Sequence, residues 1–186
     1  MLIEQRLLPH EFKVVATRDF KETARAITDM VVRGAGAIGA TAAYGLAQGA
    51  LAFEGRNAAA FKRHIDQVYA TLKKARPTAV DPVNAMDQVR AVMQGSWVEN
   101  GRTRIGSKPP KNGELPIEEQ QALALAAAEE FAQEDVQHCT EIGKHGAGLI
   151  RQGMRILTHC NAGWLAFLQD THQIAECVAR VNNILD

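Results

Sequence analysis

The sequence predicts a mainly α protein, and three observations carry that reading. Aromatic residues make up only 5% of the 186 residues while alanine is abundant, a composition that suits packed helices better than a β-sandwich. Apolar residues recur at steps of three and four along several stretches, the period of one helix face. Strand-like patterning is confined to short segments near the start of the chain and near residue 155. Hydrophobic residues at 46% and charged residues at 23% are the proportions of a globular chain, long enough to bury a core.

Taken in order, residues 2 to 16 mix short apolar runs with Pro9, which suits a small strand or hairpin. Asp19 is placed to cap a helix, with Glu22 three residues later as in a capping box. Phe20, Ala24, Ile27 and Val31 then share one face, and the helix is expected to stop near Arg33-Gly34. Residues 33–53 begin glycine-rich and continue as an apolar, buried helix. Asn57 suits the cap of a third helix with the buried stripe Phe61, Ile65, Val68 and Leu72. Two prolines, Pro77 and Pro82, interrupt the helical period before Val83, Met86, Val89 and Met93 define a fourth helix. Residues 95–116 hold Gly, Pro, Lys and Arg with little apolar content and are expected to form a long loop. From Ile117 to Ile150 the pattern is helical again, as two helices or one bent helix, ended by Gly153. Arg155 to His159 reads as a short buried strand, running into a turn at Asn161-Ala162-Gly163 and one more helix. Strand, small-residue turn and helix is how phosphate-binding α/β domains begin.

Lys+Arg and Asp+Glu number 21 each, so the formal charge is zero and nucleic acid is not an expected partner. An anion site must therefore be local. Cys139, Cys160 and Cys177 form no CxxC pair, which argues against a disulfide framework and a thiolate zinc site and favours a reducing cytoplasm. No apolar run approaches the roughly 20 residues that cross a bilayer, so no membrane partner is expected. Glu4 and Arg6 come too early for a signal peptide. His10, His64, His138, His145 and His172 show no metal-ligand spacing, and no metal or cofactor is expected.

Three places can carry chemistry. Arg33, Gly34, Ala35 and Gly36 lead into a helix, whose free N–H groups and partial positive charge suit an anion that the adjacent arginine would clamp. Spacing alone favours the plainer alternative, a cap and a close helix packing. Gly34, Gly36 and Gly39 have the spacing of a dinucleotide-binding fingerprint, but no clear strand precedes them. Arg76 precedes Pro77, which fixes its direction, although an ordinary surface arginine at a helix end is the simpler reading. Cys160 stands where a strand meets a glycine turn and a helix start, a place that can lower a thiol pKa and suit a nucleophile or proton-transfer group. A buried inert cysteine is the commoner alternative. Asn161 can orient substrate hydroxyls, while His159 alternates with Cys160 and should face the other way.

Three segments together resemble the methylthioribose-1-phosphate isomerase family, which belongs with the regulatory subunits of translation initiation factor 2B. They are VVRGAGAIGATAAYG (31–45), ARPTAVDPVNAMDQV (75–89) and EDVQHCTEIGKHGAGLIRQGMRILTHCNAG (134–163). LIEQRLLPHEF resembles the family's start, and the resemblance spans residues 2 to 166. A related class acts on 5-deoxyribose 1-phosphate and is not separable here. The resemblance implies an aldose–ketose isomerase of a 5-substituted pentose 1-phosphate, as in methionine salvage. It implies Cys160 as the catalytic cysteine and Arg33, Gly34, Ala35 and Arg76 as phosphate- and sugar-binding positions, with a sugar phosphate as small-molecule partner. It also implies a helical N-terminal domain over 1–152, with 153–186 as the first strand-turn-helix of a truncated Rossmann-like α/β domain.

The chain departs from the family at Gly36, where the family has proline, in its shorter N-terminus, and in length, members being about twice as long. After Phe167 the likeness ends, and the catalytic aspartate belongs to the missing half. An orphaned strand at Arg155 to His159 would leave unpaired edges, so a homodimer, or recruitment of the segment into a helix, is expected. Three functional classes follow: the isomerase, a non-catalytic initiation-factor-2B-like binding protein, and an inactive truncated remnant.

Overall fold

The computed structural model describes residues 1–99, 102–105, 115–151, 153–155 and 157. A two-stranded antiparallel ribbon opens the chain: β1 (Leu2–Ile3) pairs with β2 (Val14–Val15), with Leu2 opposite Val15 and Ile3 opposite Val14. This is the small β element that the apolar runs around Pro9 suggest. Five helices follow among the described residues, and the fold is mainly α.

Helix α1 (Phe20–Thr28) starts where Asp19 places its carboxylate to accept from the N–H groups of Lys21 and Glu22, each at 2.8 Å. Glu22 reaches back to the N–H of Arg18 at 2.8 Å, one residue earlier than in a standard capping box. The helix ends at Thr28, short of the expected Arg33-Gly34, because Met30 adopts φ 60° and turns the chain. Val31 keeps its buried position, but in the turn rather than on the helix face.

Helix α2 (Ala35–Leu51) is the centre of the bundle, apolar around nearly its whole circumference, with α1 and the three later helices packed on it. Its small residues let α3 (Ala58–Ala75) come close. A methyl on Gly49 would stand 2.5 Å from Val68 Cγ1, and one on Gly45 would stand 2.9 Å from Leu72 Cδ2. Asn57 caps α3 by accepting from the N–H of Ala60, and the four buried residues of α3 are Phe61, Ile65, Val68 and Leu72, the stripe its spacing predicts. Helix α4 (Asp81–Met93) buries Met86, Val89 and Met93 as expected, with Val83 half-buried.

Residues 95–116 do not form one structureless loop. Strand β3 (Ser96–Glu99) pairs with β4 (Arg102–Ile105) as an antiparallel hairpin, Glu99 opposite Arg102. The residues between the strands are Asn100-Gly101, the pair that two-residue hairpins favour, flanked by the β-formers Trp97, Val98, Thr103 and Ile105.

Helix α5 (Ile117–Ala147) is a single 31-residue helix rather than two, and it ends at Gly148 before reaching Gly153. Its start is tied to the end of α2: Gln121 Nε2 donates to the carbonyls of Ala50 at 2.8 Å and Phe53 at 2.9 Å, satisfying groups that a helix C-terminus leaves open. From there it runs antiparallel to α2, past Tyr44, to the start of α4, where the charge of Asp81 acts on Asp135. Helix α5 is about 46 Å long at 1.5 Å per residue, longer than the bundle it packs on. Ile142 and, beyond the helix, Leu149 stay exposed. The strand-turn-helix expected from residue 155 lies outside the described residues except at Arg155 and Leu157. Neither is in a strand, and Leu157 is exposed rather than buried because no described element covers it. Among the described residues, no helix is long and apolar enough to cross a membrane.

Candidate functional site

The glycine-rich run does open a helix. Gly34 is the N-cap of α2, in an extended conformation with no side-chain capping bond, and the first helical hydrogen bond runs from Ile38 N–H to Gly34 O at 2.9 Å. The N–H groups ahead of Ile38 have no helical carbonyl to meet. No acidic residue stands in the first turn of α2, so its own sequence does not neutralise the positive end of the helix dipole. Gly34 is buried, Ala35 and Arg33 are exposed, and Gly36 is half-buried. Arg33 has no hydrogen-bond or ion-pair partner among the described residues.

Arg76 joins the same end of the bundle by tertiary packing. It is the C-cap of α3, in an extended conformation. The end of α3 lies against the end of α1, where Thr28 Oγ1 donates to Ala75 O at 3.5 Å. The Arg76 guanidinium crosses to the turn between α1 and α2, where its Nη1 is in contact with Met30 Sδ. The connection through Pro77 and Thr78 then leads to Asp81, whose Cβ would stand 3.4 Å from a methyl on Gly39, one turn into α2. Two arginines 43 positions apart in sequence thus converge on the turn that feeds a helix N-terminus.

Cys160 and Asn161 lie outside the described residues. Cys139 is half-buried on α5, and burial first, then the charge of Asp135, pushes its thiol up, the opposite of a nucleophile's needs. Asp135 is itself pushed above the ordinary carboxylate range, by burial first and by Asp81, with His138 opposing. Its Oδ2 is buried without a hydrogen-bond partner among the described residues. His64 is held in the packing: it lies 2.8 Å from the carbonyl of Gly49 and edges against Phe20 and Phe53. His138 and His145 are exposed, and among the described residues no metal-binding group of His, Cys, Asp or Glu occurs. Two cavities of about 350 and 340 Å3 have neither Arg33 nor Arg76 in their lining. The first is lined by Phe61, Lys62, Asp66 and Arg90, the second by Leu2, Thr23, Tyr44 and Gln48.

Met30 and Asp135 escape sequence reasoning. Met30 takes a left-handed backbone without the glycine or asparagine that would advertise it. Asp135 sits among other charged residues on α5, and only packing shows one of its oxygens to be enclosed.

Known proteins resemble this chain in sequence and in fold. The chain is 38% identical over 169 residues to a methylthioribose-1-phosphate isomerase of Picosynechococcus sp., covering 89% of this chain and 44% of that protein. It is 38% identical over 165 residues to a putative methylthioribose-1-phosphate isomerase of Pyrococcus abyssi, covering 89% and 42%. The crystal structure of 5-methylthioribose 1-phosphate isomerase from Pyrococcus horikoshii superposes with a TM-score of 0.77 at 35% identity, covering 97% of this chain and 46% of that one. The delta subunit of translation initiation factor eIF-2B from A. fulgidus superposes with a TM-score of 0.70 at 33% identity, covering 89% and 44%. The chain therefore spans less than half the length of these relatives. Residues 31–182, which begin at the turn bearing Arg33 and continue through Arg76, match the initiation factor 2 subunit family, and the chain belongs to that family.

Proposed function

We propose that the chain carries the phosphate-binding, helical part of an aldose–ketose isomerase acting on a 5-substituted pentose 1-phosphate. The substrate by this reading is methylthioribose 1-phosphate, converted to methylthioribulose 1-phosphate in methionine salvage. The observation that supports the reading is that Arg33 stands beside the N-cap of α2 while the Arg76 side chain reaches Met30 in the turn leading to that helix. A phosphate monoester needs charge and several N–H donors in one place, and this end of the bundle offers both.

The chemistry assigns roles to the remaining residues. With phosphate on the anomeric carbon, the sugar ring opens only if a group helps the ring oxygen leave. Hydrogen then moves from C2 to C1, a rearrangement with no net oxidation, which needs no external oxidant or cofactor. Cys160 is the proton-transfer group by its match to the family's catalytic cysteine in THCNAG, and Asn161 beside it orients a hydroxyl through its amide. Arg33, Gly34 and Ala35 hold the phosphate, and Arg76 shares its charge. The division into a helical unit over 1–152 and a second unit beginning at 153 belongs to this reading. So does a homodimer, supported by the exposed Ile142, Leu149 and Leu157 around and beyond the end of α5.

The alternative is a binding protein of the initiation-factor type that holds a sugar phosphate without turnover. One experiment separates the two. The purified chain is assayed on methylthioribose 1-phosphate and 5-deoxyribose 1-phosphate, beside Cys160→Ser and Arg33→Ala. Turnover lost in Cys160→Ser, with a raised KM in Arg33→Ala, supports the isomerase. Phosphate-dependent thermal stabilisation without turnover supports the binding protein. Neither turnover nor stabilisation would sink both.

A further inference from the structure

We propose that Met30 is a positioning residue for Arg76: its left-handed backbone and its thioether aim the second arginine of the anion site. The inference rests on the phosphate reading above and adds to it a residue that lies outside the helix N-terminus itself.

Among the described residues, Met30 is the one non-glycine residue with a positive φ, at 60°. An L residue holds that conformation at a cost, and it persists where neighbours determine it. Here they do so on both sides. Met30 N–H bonds Ile27 O at 3.2 Å, and Val31 N–H bonds Ala26 O at 2.9 Å. The carbonyl before Met30, on Asp29, accepts from Arg6 Nη1 at 3.4 Å, and the carbonyl after it, on Val31, accepts from Gln5 N–H at 3.0 Å. Arg6 is fixed in turn by Glu4, bidentate at 2.7 and 2.6 Å, with Glu4 buried. The segment following β1 therefore braces the turn.

The side chain that this brace presents is chemically apt. A thioether is a weak, neutral acceptor. Met30 Sδ takes one N–H of Arg76 and leaves the positive charge unopposed. No carboxylate pairs with Arg76 among the described residues. A carboxylate at position 30 would hold the guanidinium just as firmly but would compete with any incoming anion. The remaining N–H groups of Arg76 stay available for bidentate contact with phosphate.

The test titrates the full chain with inorganic phosphate and reads Kd by calorimetry. The Arg76 Nε–H signal in a 15N spectrum and the Tm are followed alongside. The variants are Arg76→Ala, Met30→Leu and Met30→Gly. Met30→Leu keeps the bulk and loses the acceptor, while Met30→Gly relieves the backbone and is expected to fold at least as well as the parent chain. Expected is at least a tenfold loss of phosphate affinity in Arg76→Ala, about the worth of a charged hydrogen bond. Each Met30 variant should lose about fivefold, the worth of one weak hydrogen bond, with Tm held and the Arg76 signal broadened. Phosphate binding weakened by Arg76→Ala but unchanged in both Met30 variants would overturn the inference and leave the site reading standing. A loss in the Met30 variants that tracks a fall in Tm would overturn it as well. Binding unaffected by Arg76→Ala, or no binding by the parent chain, would overturn the site reading and the inference with it.

Discussion

Gly49→Ala should destabilise this protein, although the same change in most helices stabilises. Replacing an interior helical glycine by alanine ordinarily gains about 1 kcal/mol of helix propensity. At Gly49 the new methyl would stand 2.5 and 2.6 Å from the two Cγ atoms of Val68 and 3.1 Å from its Cβ. Val68 is fully buried, and as a β-branched residue in α3 it has essentially one rotamer and cannot swing aside. The α2–α3 contact must open instead. Overpacking of that kind costs about 1–3 kcal/mol, and the short distances to an immobile Val68 put Gly49→Ala in the upper part of that range, which leaves a net loss of up to about 2 kcal/mol once the propensity gain is subtracted. For a chain of this length that is a fall in Tm of up to roughly 8 °C. Urea unfolding followed by circular dichroism measures it, with m unchanged. Gly146→Ala is the matched control. That glycine lies in α5 with nothing within 4 Å of a built methyl, so it should raise stability, by up to about 1 kcal/mol. The double variant Gly49→Ala/Val68→Ala should lose less than the two single losses summed, because the new methyl partly refills the space. If Gly49→Ala gains stability as Gly146→Ala does, the close crossing of α2 and α3 is wrong.

Three further outcomes follow from named contacts. Asp19→Ala removes the acceptor of two N–H groups at the start of α1 and should cost about 1 kcal/mol, read by the same unfolding curve. Asp135 has a folded pKa above its ordinary value of 3.8, with burial the larger cause, so the native state keeps its proton longer than the unfolded chain. Its contribution therefore falls as pH rises through the interval from 3.8 up to the raised folded value, and Asp135→Asn should raise Tm at neutral pH while flattening that part of the pH–stability curve. Glu4 is shifted the other way: the Arg6 side-chain hydrogen bond is the largest cause, and it holds the carboxyl below 4.5. That stability is present above 4.5 and disappears as pH falls through the lowered value, so Arg6→Met should remove the acid-side dependence and lower Tm near neutrality.

The sequence by itself determined most of the helices. Periodicity placed the buried stripe of α3 residue by residue, Asp19 and Asn57 announced their caps, and the run after Arg33 read as a buried helix because apolar side chains surround it. These are local properties, written in spacing and in side chains that bond their own backbone. The β3–β4 hairpin was not read from the sequence, because the charged and proline-rich residues that follow its β-formers make the whole stretch read as one loop. The early end of α1 was not legible. Met30 has no intrinsic preference for a positive φ and takes it because Arg6, Gln5, Ala26 and Ile27 bond the backbone on either side. The continuity of α5 across its middle is likewise a tertiary result. Good helix formers before Asp135 and small residues after it permit a break, and packing along α2 and α4 keeps the helix whole. For the candidate site, the sequence named Arg33 through its glycine-rich neighbours and could give Arg76 only a direction fixed by proline. That the Arg76 side chain reaches the turn leading to Arg33 is decided by α3 ending beside α1, a contact between residues far apart in the chain that no local pattern encodes.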